Sequence, residues 1–197
     1  GYAALNANTT GTQNVAVGAT ALDANTTGGN NIAVGHNSLG ANTTGEHNIA
    51  LGSHCLDVNT TGSRNLGMGV NTLGANTTGT QNIALGEDTL RANTTASNNT
   101  AVGWNALLAN TTASGNTGVG YQALKSNTTG SGNVAVGQNS LKTIVTGNYC
   151  TALGNATLEN NTGSNNTAVG CNALLTNTTA SSNTAVGFEA MTANTTG

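Results

Sequence analysis

Apolar and polar residues follow one another in a fixed order that repeats along the whole chain. Aligned on Asn8, Asn25, Asn42, Asn59, Asn76, Asn93, Asn110, Asn127 and Ile144, the chain divides into lines of 17 residues. A 16-residue line from Asn161 and a last full line from Asn177 follow. The pattern is NTTGxxNxAVGxxALxx, with one Thr missing at Asn161, where the line reads NTGS. Such a repeat is the signature of an array in which each unit stacks on the next. The organisation read from it is a single array over residues 1–197: a partial repeat 1–7, full copies over 8–160, the 16-residue copy 161–176, a full copy 177–193 and a partial copy 194–197. The chain starts and stops inside a repeat, so it reads as a fragment of a longer protein.

Numbering the columns from Asn8 separates them sharply. Columns 8 to 10 read Val-Ala-Val at Val15 to Val17 and Ile-Ala-Leu at Ile49 to Leu51, between Asn and Gly. A short β-rich run bounded by turn residues predicts a strand. A helix is disfavoured, because every copy carries weak helix formers at its start, NTTG in most copies, and a fixed Gly. Column 11 is Gly throughout, from Gly18 to Gly187, as expected where φ is positive or another backbone comes close. Column 15 is Leu except at Met191, and column 10 is Val, Leu or Met; these two columns are the expected core. The fold class is therefore all-β: a β-solenoid with one coil per repeat. Stacked at about 4.8 Å per coil, such an array is a rod on the order of 50 Å long.

The other columns refine this picture. The eleven charged residues, four basic and seven acidic, fall in columns 5, 6, 12, 13 and 16. These columns are expected to face water, and the charge-free columns 7 to 11 and 14 to 15 to be buried. Asn in column 7 (Asn14, Asn31, Asn48, Asn65, Asn82, Asn99, Asn116, Asn133, Asn166 and Asn183, with Cys150 the exception) is expected to form a ladder of side-chain amides from coil to coil. The NTT run offers a second ladder. Strand alternation with columns 8 and 10 inward places column 9 outward, yet column 9 is always Ala or Gly, and column 14 is also small. Tight packing on that face is expected, from another turn of the same coil or, preferably, from another chain in a homo-oligomeric fibre.

The runs NVAVGATAL (Asn14 to Leu22), NIALGEDTL (Asn82 to Leu90) and NTGVGYQAL (Asn116 to Leu124) resemble the head repeats of trimeric autotransporter adhesins and the related repeats of phage and prophage tail fibres. The resemblance extends over the whole chain. It implies a trimeric, parallel, left-handed β-roll at a cell or virion surface, and it transfers no catalytic residue. Adhesin heads use a shorter repeat; the added NTTG is nearer to tail-fibre shafts.

Composition excludes several function classes. With 6% charged residues, 3% aromatics and a formal charge of -3, the chain has no basic footprint for nucleic acid or anionic lipid. No apolar stretch is long enough for a membrane-spanning helix. The three cysteines lie in different columns and form no CxxC pair; His47, His54 and Cys55 lack zinc spacing. No triad, paired carboxylate or phosphate loop is evident, so an enzyme is not expected, and neither is a metal or cofactor.

Function is expected to be structural: a shaft of an extracellular fibre or surface adhesin that presents a receptor-binding tip, with a homotrimer as the favoured assembly. An alternative is a glycan- or receptor-binding module using the rings of column 12, Tyr2, Trp104, Tyr121 and Phe188. Another is an ice-binding solenoid, disfavoured here because Thr100, Thr117, Thr151, Thr167 and Thr184 of column 8 replace Val and Ile at a position expected to point inward. The Asn-Thr-Thr runs are formal glycosylation acceptors for a host that glycosylates.

Overall fold

The computed structural model describes residues 1–195; Thr196 and Gly197, the end of the partial copy 194–197, lie outside the described residues. Eleven three-residue strands form one parallel sheet in strictly sequential order: β1 (Val15–Val17), β2 (Ile32–Val34), β3 (Ile49–Leu51), β4 (Leu66–Met68), β5 (Ile83–Leu85), β6 (Thr100–Val102), β7 (Thr117–Val119), β8 (Val134–Val136), β9 (Thr151–Leu153), β10 (Thr167–Val169) and β11 (Thr184–Val186). Each strand is columns 8 to 10 of one repeat, paired column on column with the next, as in Val15 with Ile32 and Val17 with Val34. The chain is a β-solenoid with one coil per repeat. The shortened copy keeps this register, Thr151 pairing with Thr167, because its missing residue is taken from the NTG bend.

Column 11 ends the strand for two reasons. Its glycines have φ of 133° at Gly18 and 137° at Gly69, a region closed to most L-residues. A Cβ on Gly69 would also stand 2.6 Å from the carbonyl oxygen of Gly86 on the next coil. Beyond it the chain curls back through columns 13 and 15, which are left-handed in every coil: Thr20 at φ 54° and Leu22 at φ 51°, Asn105 at 57° and Leu107 at 51°. A left-handed leucine costs about 1 kcal/mol. Each of these leucines from Leu22 to Leu174 is fully buried, and burying a leucine side chain returns about 2 kcal/mol. The curl also keeps its backbone bonded to neighbouring coils, with the amide of Thr20 donating to Tyr2 and that of Leu22 to Ser38.

The strand faces the opposite way to the sequence expectation. Column 9 points inward: Ala33, Ala50, Ala84, Ala101, Ala135, Ala152 and Ala168 are fully buried. Columns 8 and 10 point outward, with Val15 48% and Val17 55% exposed and the remaining members exposed or half-buried. Interior width explains this. Leu of column 15 and the small residue of column 14 already fill the coil, leaving room opposite them for a methyl group and nothing larger. Above Cys55 of column 14 even the methyl is lost: column 9 of the next coil is Gly67, whose added Cβ would lie 2.5 Å from the Cys55 sulfur. Columns 9 and 14 are thus small because they pack against each other within one chain, and their size is no sign of a second chain. Column 10 leaves the expected core, while column 15 stays in it.

This orientation yields a direct contrast. Ala101→Val overfills the interior and is expected to destabilise the protein by about 1–3 kcal/mol. Thr100→Val, one residue away but outward, is expected to change stability by less than about 0.5 kcal/mol. Urea denaturation midpoints of the two variants check it; the reverse order would mean that columns 8 and 10 face the core.

Candidate functional site

Two lines of asparagine run through the interior beside the strand. In column 7 each side chain reaches forward to the next coil with both its atoms. The Oδ1 of Asn14 accepts the backbone N–H of Asn31 at 2.9 Å, while its Nδ2 donates to the Gly28 carbonyl at 2.8 Å. The same pair of bonds recurs through Asn31, Asn48, Asn65, Asn82 and Asn99 to Asn116 and Asn133. It reappears at Asn166, whose Oδ1 accepts the backbone N–H of Asn183 and whose Nδ2 donates to the Ala180 carbonyl. The ladder is therefore built from side chain to backbone, with direct amide-to-amide contacts only as long additions such as Asn82 to Asn65 at 3.2 Å.

Column 1 makes the other line, and here the side chains do bond to each other. Asn25 Nδ2 donates to Asn8 Oδ1 at 2.8 Å and also to the Gly28 carbonyl of its own bend at 3.0 Å; Asn42, Asn59, Asn76, Asn93 and Asn110 repeat this. Beside it, the Thr9 hydroxyl donates to the Thr26 carbonyl. Asn25 to Asn127 in this line are all fully buried. An unpartnered buried amide atom costs about 1–3 kcal/mol, which is why the two lines tolerate so few substitutions.

The ninth coil interrupts both lines at once. Ile144 stands in column 1 and Cys150 in column 7, so neither offers a side-chain amide, although the Cys150 backbone N–H still donates to Asn133 Oδ1 at 2.9 Å. Asn127 Oδ1 is consequently buried without a partner. The Cys150 sulfur lies against Gly163 O at 3.3 Å and the Asn161 amide at 3.6 Å, and the column 1 line resumes where Asn177 donates to Asn161. Burial raises the thiol pKa of Cys150, and that of Cys55 to about 12; both are neutral, unreactive thiols at neutral pH.

The rings of column 12 are not gathered. Tyr2 (85% exposed) and Phe188 (73%) sit near opposite ends of the array. Trp104 and Tyr121, on adjacent coils, stack on each other with centroids 5.2 Å apart and planes at 22°. Their facing surfaces are thus turned along the rod axis toward one another. His54 points away from the core onto Asp57 at 3.2 Å, whereas Cys55 points into it, and His47 lies in a different bend. Among the described residues no three potential metal ligands stand together, and no helix is long and apolar enough to cross a membrane.

The feature that sequence reasoning missed is the outer face of the sheet. Columns 8 and 10 carry only Val, Ile, Leu, Met and Thr over eleven strands, making a charge-free stripe along the rod. Its signal was present: an inward column between large neighbours is limited to Ala and Gly, and an outward one drifts from Ile83 to Thr100 without harm.

The interrupted coil supplies an internal control for the ladder. Asn76→Ala removes two donated bonds and the acceptor of Asn93, whereas Asn127→Ala removes two donated bonds and an acceptor that already has no partner. Asn76→Ala is expected to destabilise by about 1 kcal/mol more than Asn127→Ala. Comparative urea denaturation reads this difference, and equal losses would remove the account of the fault.

No family model, no curated protein and no solved structure matches the chain, so a role for this solenoid rests on the chemistry of its own surfaces.

Proposed function

We propose that the chain is a shaft segment of an extracellular fibre or surface adhesin, in which copies of the solenoid associate through the outer faces of their sheets and hold a receptor-binding tip at a distance. The observation that carries this reading is the stripe of columns 8 and 10. Parallel sheets are ordinarily covered on both faces, and a charge-free, largely apolar surface of this length marks an interaction site. The side-chain ridges of the stripe repeat at the coil rise, about 4.8 Å. Another copy of the same solenoid has ridges at the same spacing over its entire length, so ridge and groove stay in phase from end to end. The resemblance to trimeric fibres favours three copies. Regularity also favours scaffolding over catalysis, which needs one unique constellation of groups.

A second reading uses the same face. Thr100, Thr117, Thr151, Thr167 and Thr184 point outward, and each is followed two residues later by Val or Leu. Hydroxyls and methyls then recur at about 4.8 Å along the rod and about 6.6 Å across it from Thr100 to Thr117 and from Thr151 to Thr184, with Val134 between the two runs, an array of the kind that orders ice-like water. This outward placement removes the column 8 argument against ice binding.

One preparation separates the two. Sedimentation equilibrium is expected to give a multiple of the 19.3 kDa chain mass. The double substitution Ile83→Lys with Val102→Lys is expected to return the protein to a monomer with an unchanged circular dichroism spectrum. A monomeric native protein would overturn the shaft reading, and thermal hysteresis in that monomer would establish the ice-binding one.

A further inference from the structure

Charge is scarce in this chain, yet three of the eleven charged residues meet on three consecutive coils. His54 and Asp57, then Asn71, Gly74 and Ala75, then Arg91 line one groove of about 400 Å³, and Asp88 stands behind its far wall. The groove exists because Gly74 occupies column 16, the position that carries Asp57 on the coil before and Arg91 on the coil after. A missing side chain between two long polar ones leaves a notch one coil wide. It belongs to the turn segment of the coil, so it does not compete with the outer face of the sheet.

The two walls differ chemically. On one, His54 Nδ1 meets Asp57 Oδ2 at 3.2 Å, which leaves Asp57 Oδ1 to face the notch, 3.8 Å from where a Cβ on Gly74 would be. That wall offers a carboxylate acceptor. On the other, Asp88 Oδ1 holds Asn71 Nδ2 at 3.3 Å and Arg91 Nη1 at 3.7 Å. The Arg91 side chain remains 58% exposed, and a guanidinium has five N–H donors, so most of them are free. That wall offers donors. The half-exposed imidazole of His54 adds a flat ring, already braced edge-on by His36 with centroids 5.1 Å apart.

We propose that this notch is a binding site for one neutral pyranose unit of a glycan. A sugar presents hydroxyl groups that donate and accept from neighbouring carbons, matching an acceptor wall and a donor wall set one coil to either side. Charge selects among sugars. Two carboxylates, Asp57 and Asp88, stand against the single guanidinium of Arg91, which opposes uronic acids, sialic acids and sulfated sugars. The volume is also within the range of small-ligand sites, about 300–1,000 Å³. The site is independent of the shaft reading, since a monomeric solenoid carries the same notch.

The test is an amide chemical-shift titration of the full chain with the methyl glycosides of mannose, galactose and glucose, and with glucuronate as the anionic comparison. At least one neutral glycoside is expected to give saturable shifts confined to residues 54–57, 71–75 and 88–91, with a Kd of about 1 mM or tighter. Glucuronate is expected to give none. Gly74→Leu fills the notch with a residue that column 16 already carries at Leu108 and Leu175, and is expected to abolish the shifts while preserving the melting temperature. Should that variant melt early, Asp57→Ala decides, with an expected tenfold or greater loss of affinity. Absence of saturable shifts with all three neutral glycosides, full binding by the deciding variant, or stronger binding of glucuronate would overturn the proposal.

Discussion

An amide buried inside a protein must find its hydrogen bonds there, and in this molecule that requirement fixes the repeat. The interior beside each strand holds asparagine amides whose partners lie on the next coil. Asn14 can satisfy both of its polar atoms only if the backbone of Asn31 and the carbonyl of Gly28 stand one coil above it. Any slip in register, or any change in coil length outside the bends, leaves such atoms without partners. Repetition follows: a coil is stable where its neighbour presents the same groups at the same height, as expected for arrays whose stability resides between units. The ninth coil shows the rule by its exception, since Ile144 and Cys150 replace the amides of both lines together and strand an Asn127 oxygen.

A narrow interior is the second consequence. With amides on one side and leucine of column 15 on the other, the strand has space for a methyl group. Larger apolar residues are driven outward, which gives the rod a surface unlike that of an ordinary soluble domain: a charge-free β-face on one side and a polar turn face on the other. The leucines accept a left-handed backbone in exchange for full burial. Cys55 and Gly67 show how closely volumes are balanced, one column losing its methyl group where the facing column gains a sulfur.

Much of this was legible in the sequence. The period, the strand over columns 8 to 10, the turn at the fixed glycine and the leucine core all follow from residue types that each have one structural use. The direction of the strand is not legible there, because hydrophobicity ordinarily marks the interior and here points to columns 8 and 10. In a wide core that inference holds; in a coil this thin, size decides and the constant Ala of column 9 is the inward residue. The left-handed leucines were also hidden, since leucine has no preference for that conformation and only its burial supports it. The notch around Gly74 was equally invisible, because His54, Asp57, Asn71 and Arg91 are dispersed in sequence and are brought together only by the stacking of coils at a 17-residue interval.

Backbone hydrogen exchange at column 7 tests the central claim most directly. The amides of Asn31, Asn48, Asn82, Asn99 and Asn116 have a side-chain Oδ1 of the preceding coil as their acceptor. If the asparagine ladder holds the coils in register, these amides exchange as slowly as those of the strand residues Ile32, Ile49 and Ile83, which donate to backbone carbonyls. Exchange at column 7 as fast as in the exposed bends, with the strands still protected, would contradict it.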